Sequence, residues 1–154
     1  MKQYGNEAPK PKEVSLNKIR INFGVYEVSE DELYNLWRDV TKGLEDIPDK
    51  PSGTFKDDHK YAYYQVQLPI GQWTRDGIVN AIIRDKYRQD EMEAITNNMA
   101  AITAVFLQTL VSDGIVAATK YLKESINDDN TKRFKEMQEW RAMAKKVASE
   151  IIKE

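Results

Sequence analysis

The chain contains a single histidine, His59, which directly follows two acidic residues in Asp57-Asp58-His59. Imidazole and carboxylate groups are metal ligands, and a histidine is also the general base of a Ser-His-Asp triad. Side chains of adjacent residues on an extended segment point to opposite sides, so these three residues rarely bind one ion together. We therefore interpret His59 as a solvated loop residue and predict neither a metal site nor a catalytic triad.

Acidic residues also occur in short clusters, and a glycosidase or a two-metal enzyme would need such carboxylates to converge in a cleft. Each cluster lies instead at a predicted helix start, where carboxylates complement the helix dipole. The chain has no cysteine, no Gly-rich phosphate-binding motif and no Gly-x-Ser-x-Gly elbow. We expect a protein that is not an enzyme, with no catalytic residues, no bound metal and no cofactor. The acidic clusters are Glu30-Asp31-Glu32, Asp90-Glu91 with Glu93, and Asp128-Asp129.

A group of basic residues near aromatic side chains has the composition of a nucleic-acid-binding face. Acidic residues interleave with it and largely cancel its field, and the net charge of -2 with a pI of 5.6 does not favour phosphate binding. We prefer a solvated helix face, with a small nucleic-acid-binding or regulatory module as the alternative. The basic residues are Arg75, Arg84, Lys86 and Arg88, beside Trp73 and Tyr87, and the acidic ones are Asp76, Asp85, Asp90 and Glu91.

Amphipathic aromatic residues dominate the energetics of protein interfaces, so those outside the core are candidate docking residues. Tyrosines occur on both faces of a predicted strand at residues 61–68, which suggests that one edge or face of this strand is available to a partner. For Trp73, Tyr87 and Trp140 we prefer packing inside the core, with a role as interface anchors as the alternative. The candidate interaction residues are Tyr61, Tyr63, Trp73, Arg84, Tyr87 and Trp140.

The elements that would position these residues begin with an alternating apolar and polar run at residues 17–28, which predicts a strand parallel or antiparallel to the one at 61–68. Between the strands, Ser29-Glu30-Asp31-Glu32 is a capping box that starts a helix, and residues 46–53 predict a turn-rich loop. Residues 1–15 lack the apolar core of a secretory signal and are predicted to be a flexible arm.

From Thr74 onward the patterns are helical. Thr74 is the predicted N-cap of one helix, a second helix begins near Arg88, and a break at residues 127–131 precedes the last helix. That last helix has apolar residues at heptad-like spacing, which we expect to pack within the chain rather than in a coiled coil with another chain.

The most apolar segment, residues 99–118, approaches the length of a membrane span, but Gln108 and Ser112-Asp113-Gly114 interrupt it. We predict a buried helix that is broken near Gly114, with no membrane contact. Altogether the patterns predict an α+β protein that is predominantly helical. It would have a small two-stranded N-terminal β/α part and a C-terminal bundle of three to four helices. The predicted parts are the arm at 1–15, a β-α-β part at 16–72 and the bundle at 73–154, within one compact domain.

Two segments of the helical part resemble a C-terminal helical module of poorly characterised proteins from phages and prophages of gut Bacteroides-type bacteria. The resemblance is carried by Ile82-Ile83-Arg84-x-Lys86-Tyr87 with Asp90 and Ala94-Ile95, and by Phe134, Glu139-Trp140-Arg141 and Ala144-Lys145. It implies a virion-associated or assembly protein, with no catalytic residues to transfer. Arg88 stands where the module would have a capping serine.

These observations lead to an expected function. We expect a non-enzymatic structural or assembly protein, a component of a phage virion or of the host cytoplasm, that docks onto other protein subunits or self-associates. The nucleic-acid-binding alternative predicts binding that weakens steeply with salt and collapses on charge reversal of Arg75, Arg84, Lys86 and Arg88.

Overall fold

The computed structural model describes residues 1–44, 50–51 and 53–153. The chain divides into two compact units, Met1–Trp73 and Thr74–Glu154. Within the described ranges the fold is α+β and 65% helical, with one four-stranded antiparallel sheet and six α-helices. The prediction of a predominantly helical α+β protein is confirmed, whereas the prediction of only two strands is wrong.

The sheet of the first unit has the strand order β1-β4-β3-β2, and every neighbouring pair is antiparallel. The two long strands, β3 (Lys18–Glu27) and β4 (Tyr61–Pro69), are the strands predicted from alternation. The two short strands, β1 (Lys2–Gly5) and β2 (Lys12–Val14), form the edges. The structure therefore resolves the choice between parallel and antiparallel pairing, which the sequence patterns left open.

Both edge strands are formed by residues 1–15, which were predicted to be a flexible arm. Lys2–Gly5 pairs with the first half of β4, and Lys12–Val14 pairs with the first half of β3. A two-stranded sheet is marginal in water, and the added strands satisfy backbone groups that the two long strands would otherwise leave open. The arm prediction is thus corrected. Of the two alternatives expected for β4, a free edge is ruled out because β4 is paired on both sides, and an available face stays a prediction.

A β-bulge changes which side chains share a face of the sheet. Phe23 is opposite Tyr64 and Tyr26 is opposite Ala62, so two residues of β3 stand against one of β4. Gly24 has a φ of 61° at this point, a conformation that glycine adopts without steric cost. Strict alternation places Tyr26 on the polar face, but the extra residue moves it to the same face as Phe23 and Ala62.

Two helices of the first unit lie between β3 and β4 in the chain. Helix α1 (Glu30–Thr41) begins at the predicted cap, where the Ser29 hydroxyl accepts a hydrogen bond from the Glu32 amide at 3.2 Å. Helix α2 (Gly53–Asp58) was not predicted. Most of the loop predicted at residues 46–53 lies outside the described residues.

The side chain of Glu32 connects α1 to the sheet. Its Oε1 accepts hydrogen bonds from Lys2 Nζ at 2.8 Å, Tyr26 Oη at 2.9 Å and Tyr4 Oη at 3.1 Å. The hydrogen bond from Lys2 is the main reason that the pKa of Glu32 is lowered, although partial burial opposes the shift. Partial burial likewise acts to lower the pKa of Lys2, but the hydrogen bonds to Glu32 and Tyr26 raise it overall. Strand β1 is therefore joined to α1 by a charged cluster.

The second unit contains four helices, α3 (Arg75–Lys86), α4 (Gln89–Asp113), α5 (Ile115–Ile126) and α6 (Asp129–Lys153). The starts of α3, α4 and α6 and the break at Gly114 agree with the predictions. Helix α6 packs along α3 and against the first part of α4. The core of this unit is formed by Ile78, Val79, Ile82 and Ile83 of α3, Tyr87, Ile95 of α4, and Met137, Ala144, Ala148 and Ile151 of α6.

The apolar segment at residues 99–118 is not buried, contrary to the prediction. Asn98 Nδ2 donates a hydrogen bond of 3.1 Å to Asn130 Oδ1, which places residue 98 level with the beginning of α6. Helix α4 continues beyond that level to Asp113, and the chain turns at Gly114 and returns as α5. Residues 99–126 therefore form a two-helix hairpin that extends past α6.

We predict that Glu32→Gln lowers the free energy of unfolding by about 1 kcal/mol, because the ion pair is lost while a hydrogen-bonding side chain remains. The effect is limited because the side chains of Lys2 and Glu32 are still 35% and 26% exposed. A lowered pKa in the folded state stabilises the protein above the unfolded-state pKa. The difference between the variants should therefore be full at neutral pH and shrink as the pH falls below about 4.5.

Urea unfolding of both variants between pH 3 and pH 7 measures this difference. Glu30→Gln is the matched control, since Glu30 is an exposed residue in the same first turn of α1. An equal loss for both variants would assign the effect to the helix dipole, and a loss that does not depend on pH would show that the charge of Glu32 does not contribute.

Candidate functional site

The tyrosines predicted as docking residues lie on the inner strand of the sheet. Tyr61 is paired with Gly5 and Glu27, and Tyr63 is paired with Gln3. Both are half-buried and lie on the face opposite Ala62. They can contribute to a surface of the sheet, but the pairing of β4 on both sides leaves no edge beside them for a partner strand.

Two further aromatic candidates have structural contacts in the second unit. Tyr87 is only 9% exposed and clusters with Ile95 and Met137. Burial is the main reason that the pKa of the Tyr87 hydroxyl is raised, and repulsion by Glu136 adds to it. Trp140 is half-buried and donates a hydrogen bond from Nε1 to the Ile82 carbonyl at 3.0 Å. Both residues are parts of the helical core, which is the interpretation preferred for them.

The basic residues beside these aromatics are engaged in local contacts. Lys86 Nζ lies 4.5 Å from the centre of the Trp140 ring. Arg88 contacts Asp90 and Glu91, each at 3.2 Å, and Arg75 Nε donates to Ser149 Oγ at 3.3 Å. These contacts neutralise Arg88 and hold Lys86 and Arg75 against neighbouring side chains of the helical unit. The group therefore does not form a single basic surface.

The remaining two candidates belong to different units. Trp73 is half-buried in the first unit, with Lys12 Nζ 4.4 Å from its ring centre. Arg84 is exposed on α3 and lines an open depression of about 350 Å³, together with Glu93 of α4 and Arg141 of α6. The candidates divide between the units, with Tyr61, Tyr63 and Trp73 in the first and Arg84, Tyr87 and Trp140 in the second.

His59 is not the solvated loop residue that was predicted. It is half-buried directly after α2, its ring stacks on Phe55 at a centroid distance of 4.0 Å, and Tyr4 lies 5.3 Å away. Its Nδ1 is 2.9 Å from the Phe55 carbonyl oxygen. Residues 1–44, 50–51 and 53–153 contain no group of three or more His, Asp or Glu side chains placed to hold a metal ion. His59 packs α2 against β1.

The hairpin at residues 99–126 carries the largest concentration of exposed apolar side chains in the second unit. Its inner seam contains the buried Ala118 and Ser125 of α5 and the half-buried Ile102 and Phe106 of α4. Outside the seam, Val111 is 89% exposed, Val116 82% and Ile115 72%. Apolar residues at this level of exposure are unusual in an isolated domain when they are contiguous.

These side chains are arranged in two stripes. On α4 the stripe lies about a quarter turn around the helix axis from the seam, and its residues are spaced by three and four positions. The stripe on α5 has the same offset from the seam and the same spacing. Because the helices run in opposite directions, equal offsets place both stripes on the same side of the hairpin. We call this surface the apolar face. Its residues are Ala100, Thr103, Leu107 and Leu110 of α4 and Ile115, Thr119, Leu122 and Ile126 of α5.

The opposite side of the hairpin is more polar. It contains Gln108 and Ser112 of α4 and Lys120 and Glu124 of α5, although Val105 also lies there. The apolar face has no charged residue, and its leucines and isoleucines are 37% to 72% exposed. The hairpin thus has the pattern of an amphipathic two-helix layer whose apolar side is open.

Helix α4 is also the one helix, in the part of the chain that the structure describes, whose length and composition would permit a membrane crossing. Its first ten residues, however, belong to the helical core through Ile95, and the free part beyond Asn98 is about 20 Å long at 1.5 Å per residue. A span needs about 30 Å of apolar helix. The free part is therefore too short to cross a bilayer by itself.

The apolar face was missed as a site because the same residues were assigned to a buried helix. The sequence feature that could have identified the apolar face is the stretch from Ala94 to Ser112, which has no charged residue. It is followed by an equally apolar start of α5. Comparisons with protein-family models, curated proteins and solved structures found no match to this chain.

We predict that Trp140→Phe lowers the free energy of unfolding by about 1–2 kcal/mol, because the hydrogen bond to Ile82 and the full ring beneath Lys86 are lost. Chemical denaturation measures this loss, and Lys86→Met isolates the contribution of the ammonium group. If the variant has unchanged stability but fails to bind protein partners, Trp140 acts as an interface residue and the prediction is wrong.

Proposed function

We propose that this chain is a non-enzymatic structural or assembly protein that docks onto other protein subunits, and that the apolar face of its helical hairpin is the docking surface. The observation that carries the proposal is the exposure of two aligned apolar stripes on a rigidly anchored hairpin. Helix α4 is anchored because its first part packs in the core with Tyr87 and Met137.

The size of the surface supports a protein partner. With fractional exposures of 37% to 89%, the apolar face and the adjoining Val111 present on the order of 700 Å², above the 300–600 Å² of the largest patch on a typical monomer. A standard protein interface buries about 800 Å² per partner. One docked subunit could therefore cover the whole face.

The phage setting of the proposal rests on the resemblance of residues around Arg84 and Trp140 to a phage and prophage module. A virion protein must bind neighbouring subunits, and an open apolar surface serves that requirement. We place the protein in the virion or, before assembly, in the host cytoplasm.

The nucleic-acid-binding alternative would use Arg75, Arg84, Lys86 and Arg88. It has weaker support because Lys86 lies over the Trp140 ring and Arg88 pairs with Asp90 and Glu91. Binding to DNA would have to break these contacts or leave their charges partly neutralised.

Mass spectrometry of purified phage particles from a culture that encodes the chain tests the proposed function. We expect the protein at a constant ratio to the major particle proteins, because a structural component is incorporated in a fixed number of copies. An abundant host protein is the control for contamination. Absence from the particles, combined with salt-sensitive binding to DNA in a filter assay, would overturn the proposal in favour of the alternative.

A variant pair sharpens this experiment. Leu107→Glu places a charge on the apolar face, whereas Val105→Glu places the same charge on the opposite side of α4, and the two native side chains are 53% and 42% exposed. We expect incorporation of the Val105 variant and loss of the Leu107 variant. Equal incorporation of both would show that the apolar face does not dock.

A further inference from the structure

We propose that the subunit that covers the apolar face is a second copy of this chain, and that two hairpins pack face to face as a four-helix bundle. This inference rests on the proposed function, because it names the partner of the same surface. It is argued from the distribution of small and large residues on the face.

The position of each residue along the hairpin follows from the turn at Gly114. Residues equally distant from the turn lie level on the two antiparallel helices, and the hydrogen bond between Asn98 and Asn130, each sixteen residues from Gly114, agrees with this rule. Ile126 is therefore level with Ala100 and Thr103 on the neighbouring helix. By the same rule, Thr119 lies level with the segment from Leu107 to Leu110.

This arrangement is complementary to itself. A two-fold axis along the hairpin places α4 of each copy opposite α5 of the other, with both tips at the same end. Ile126 of one copy then faces the small residues Ala100 and Thr103 of the other, and Thr119 faces the segment from Leu107 to Leu110. Leu122 lies level with Leu107, so one pair of large residues also meets. Small residues opposite large ones allow two helical layers to interdigitate without voids or overlap.

The absence of charge on the face is also consistent with self-association. In an isologous interface every residue of the patch meets the same patch, so a charge near the axis would face its own copy. The apolar face has no Asp, Glu, Lys or Arg. Of the three charged residues of α5, Lys120 and Glu124 lie on the other side, and Lys123 borders the face one turn beyond Thr119, where it would lie at the rim of the interface. The area of the face matches the roughly 800 Å² per partner of a standard dimer interface.

A lipid surface fits this hairpin less well. Helices that lie in a membrane interface combine large apolar residues with Lys and Arg along the polar side. Helix α4 has no basic residue between Gln89 and Asp113, so Lys120 and Lys123 of α5 are the only basic residues of the hairpin that could attract lipid headgroups. We therefore argue for the second copy and treat lipid binding as an outcome that the experiment can detect.

Analytical ultracentrifugation of the full chain over a range of concentrations tests the inference. The monomer mass is 17.8 kDa, and we expect a reversible species of twice that mass. Leu107→Glu should raise the dimer dissociation constant at least about a hundredfold, because the two-fold axis places two buried charges in one interface. Val105→Glu is the matched control and should leave the constant within about threefold, with circular dichroism reporting the folding of each variant.

A rescue experiment identifies the geometry. Thr119→Lys is expected to weaken dimers of its own kind, but a mixture with Leu107→Glu should form heterodimers, because residues 107 and 119 of opposite copies face each other. We expect the mixture to associate at least about ten times more tightly than either variant alone. A mixture that stays monomeric overturns the proposed axis.

The outcomes separate this inference from the proposed function. A wild-type chain that stays monomeric overturns the second copy as partner, whether or not particles contain the protein, and sedimentation of that monomer with phosphatidylcholine vesicles would identify lipid instead. A chain that dimerises as expected but is absent from particles overturns only the proposed function.

Discussion

The offset between two helices of equal length, α4 and α6, is the constraint on which the rest of the helical unit depends. Helix α4 runs for 25 residues, but α6, the helix that covers its first part, begins at the level of Asn98. Within the described residues of the second unit, the remaining part of α4 packs against α5. Two helices can cover only one side of each other, so an apolar sequence in this position must expose its other side.

The offset connects the stability of the helical unit to the proposed docking, because the two parts of α4 have different surroundings. The first part of α4 contributes Ile95 to a core with Tyr87 and Met137 and anchors the hairpin. The second part has the apolar composition of a core but lacks a covering layer. In a monomer with this arrangement the apolar area stays exposed to water. Its burial by a partner subunit would stabilise the assembly by roughly 25 cal/mol per Å².

The candidate interaction residues show that residue type alone does not establish a role in binding. Tyr87 and Trp140 have the chemistry of interface anchors, yet the first is in the core and the second donates to the Ile82 carbonyl inside the helical unit. Lys86 and Arg88 likewise have the chemistry of phosphate binding but contact Trp140 and neighbouring carboxylates. Residue type alone predicted what these groups can do, while their neighbours determine what they do in this fold.

The sequence by itself determined the features that depend on contacts within a few residues. The Ser29 and Thr74 caps, the alternation of β3 and β4 and the break at Gly114 were predicted correctly, because hydrogen bonds or backbone angles near each position decide them. Only the tertiary structure decided that residues 2–5 and 12–14 join the sheet, that the Gly24 bulge moves Tyr26 to the face of the sheet that carries Phe23 and Ala62, and that the apolar face of the hairpin is exposed. Each of these depends on segments distant in sequence, and a hydrophobic pattern states that a surface should be covered without stating what covers it.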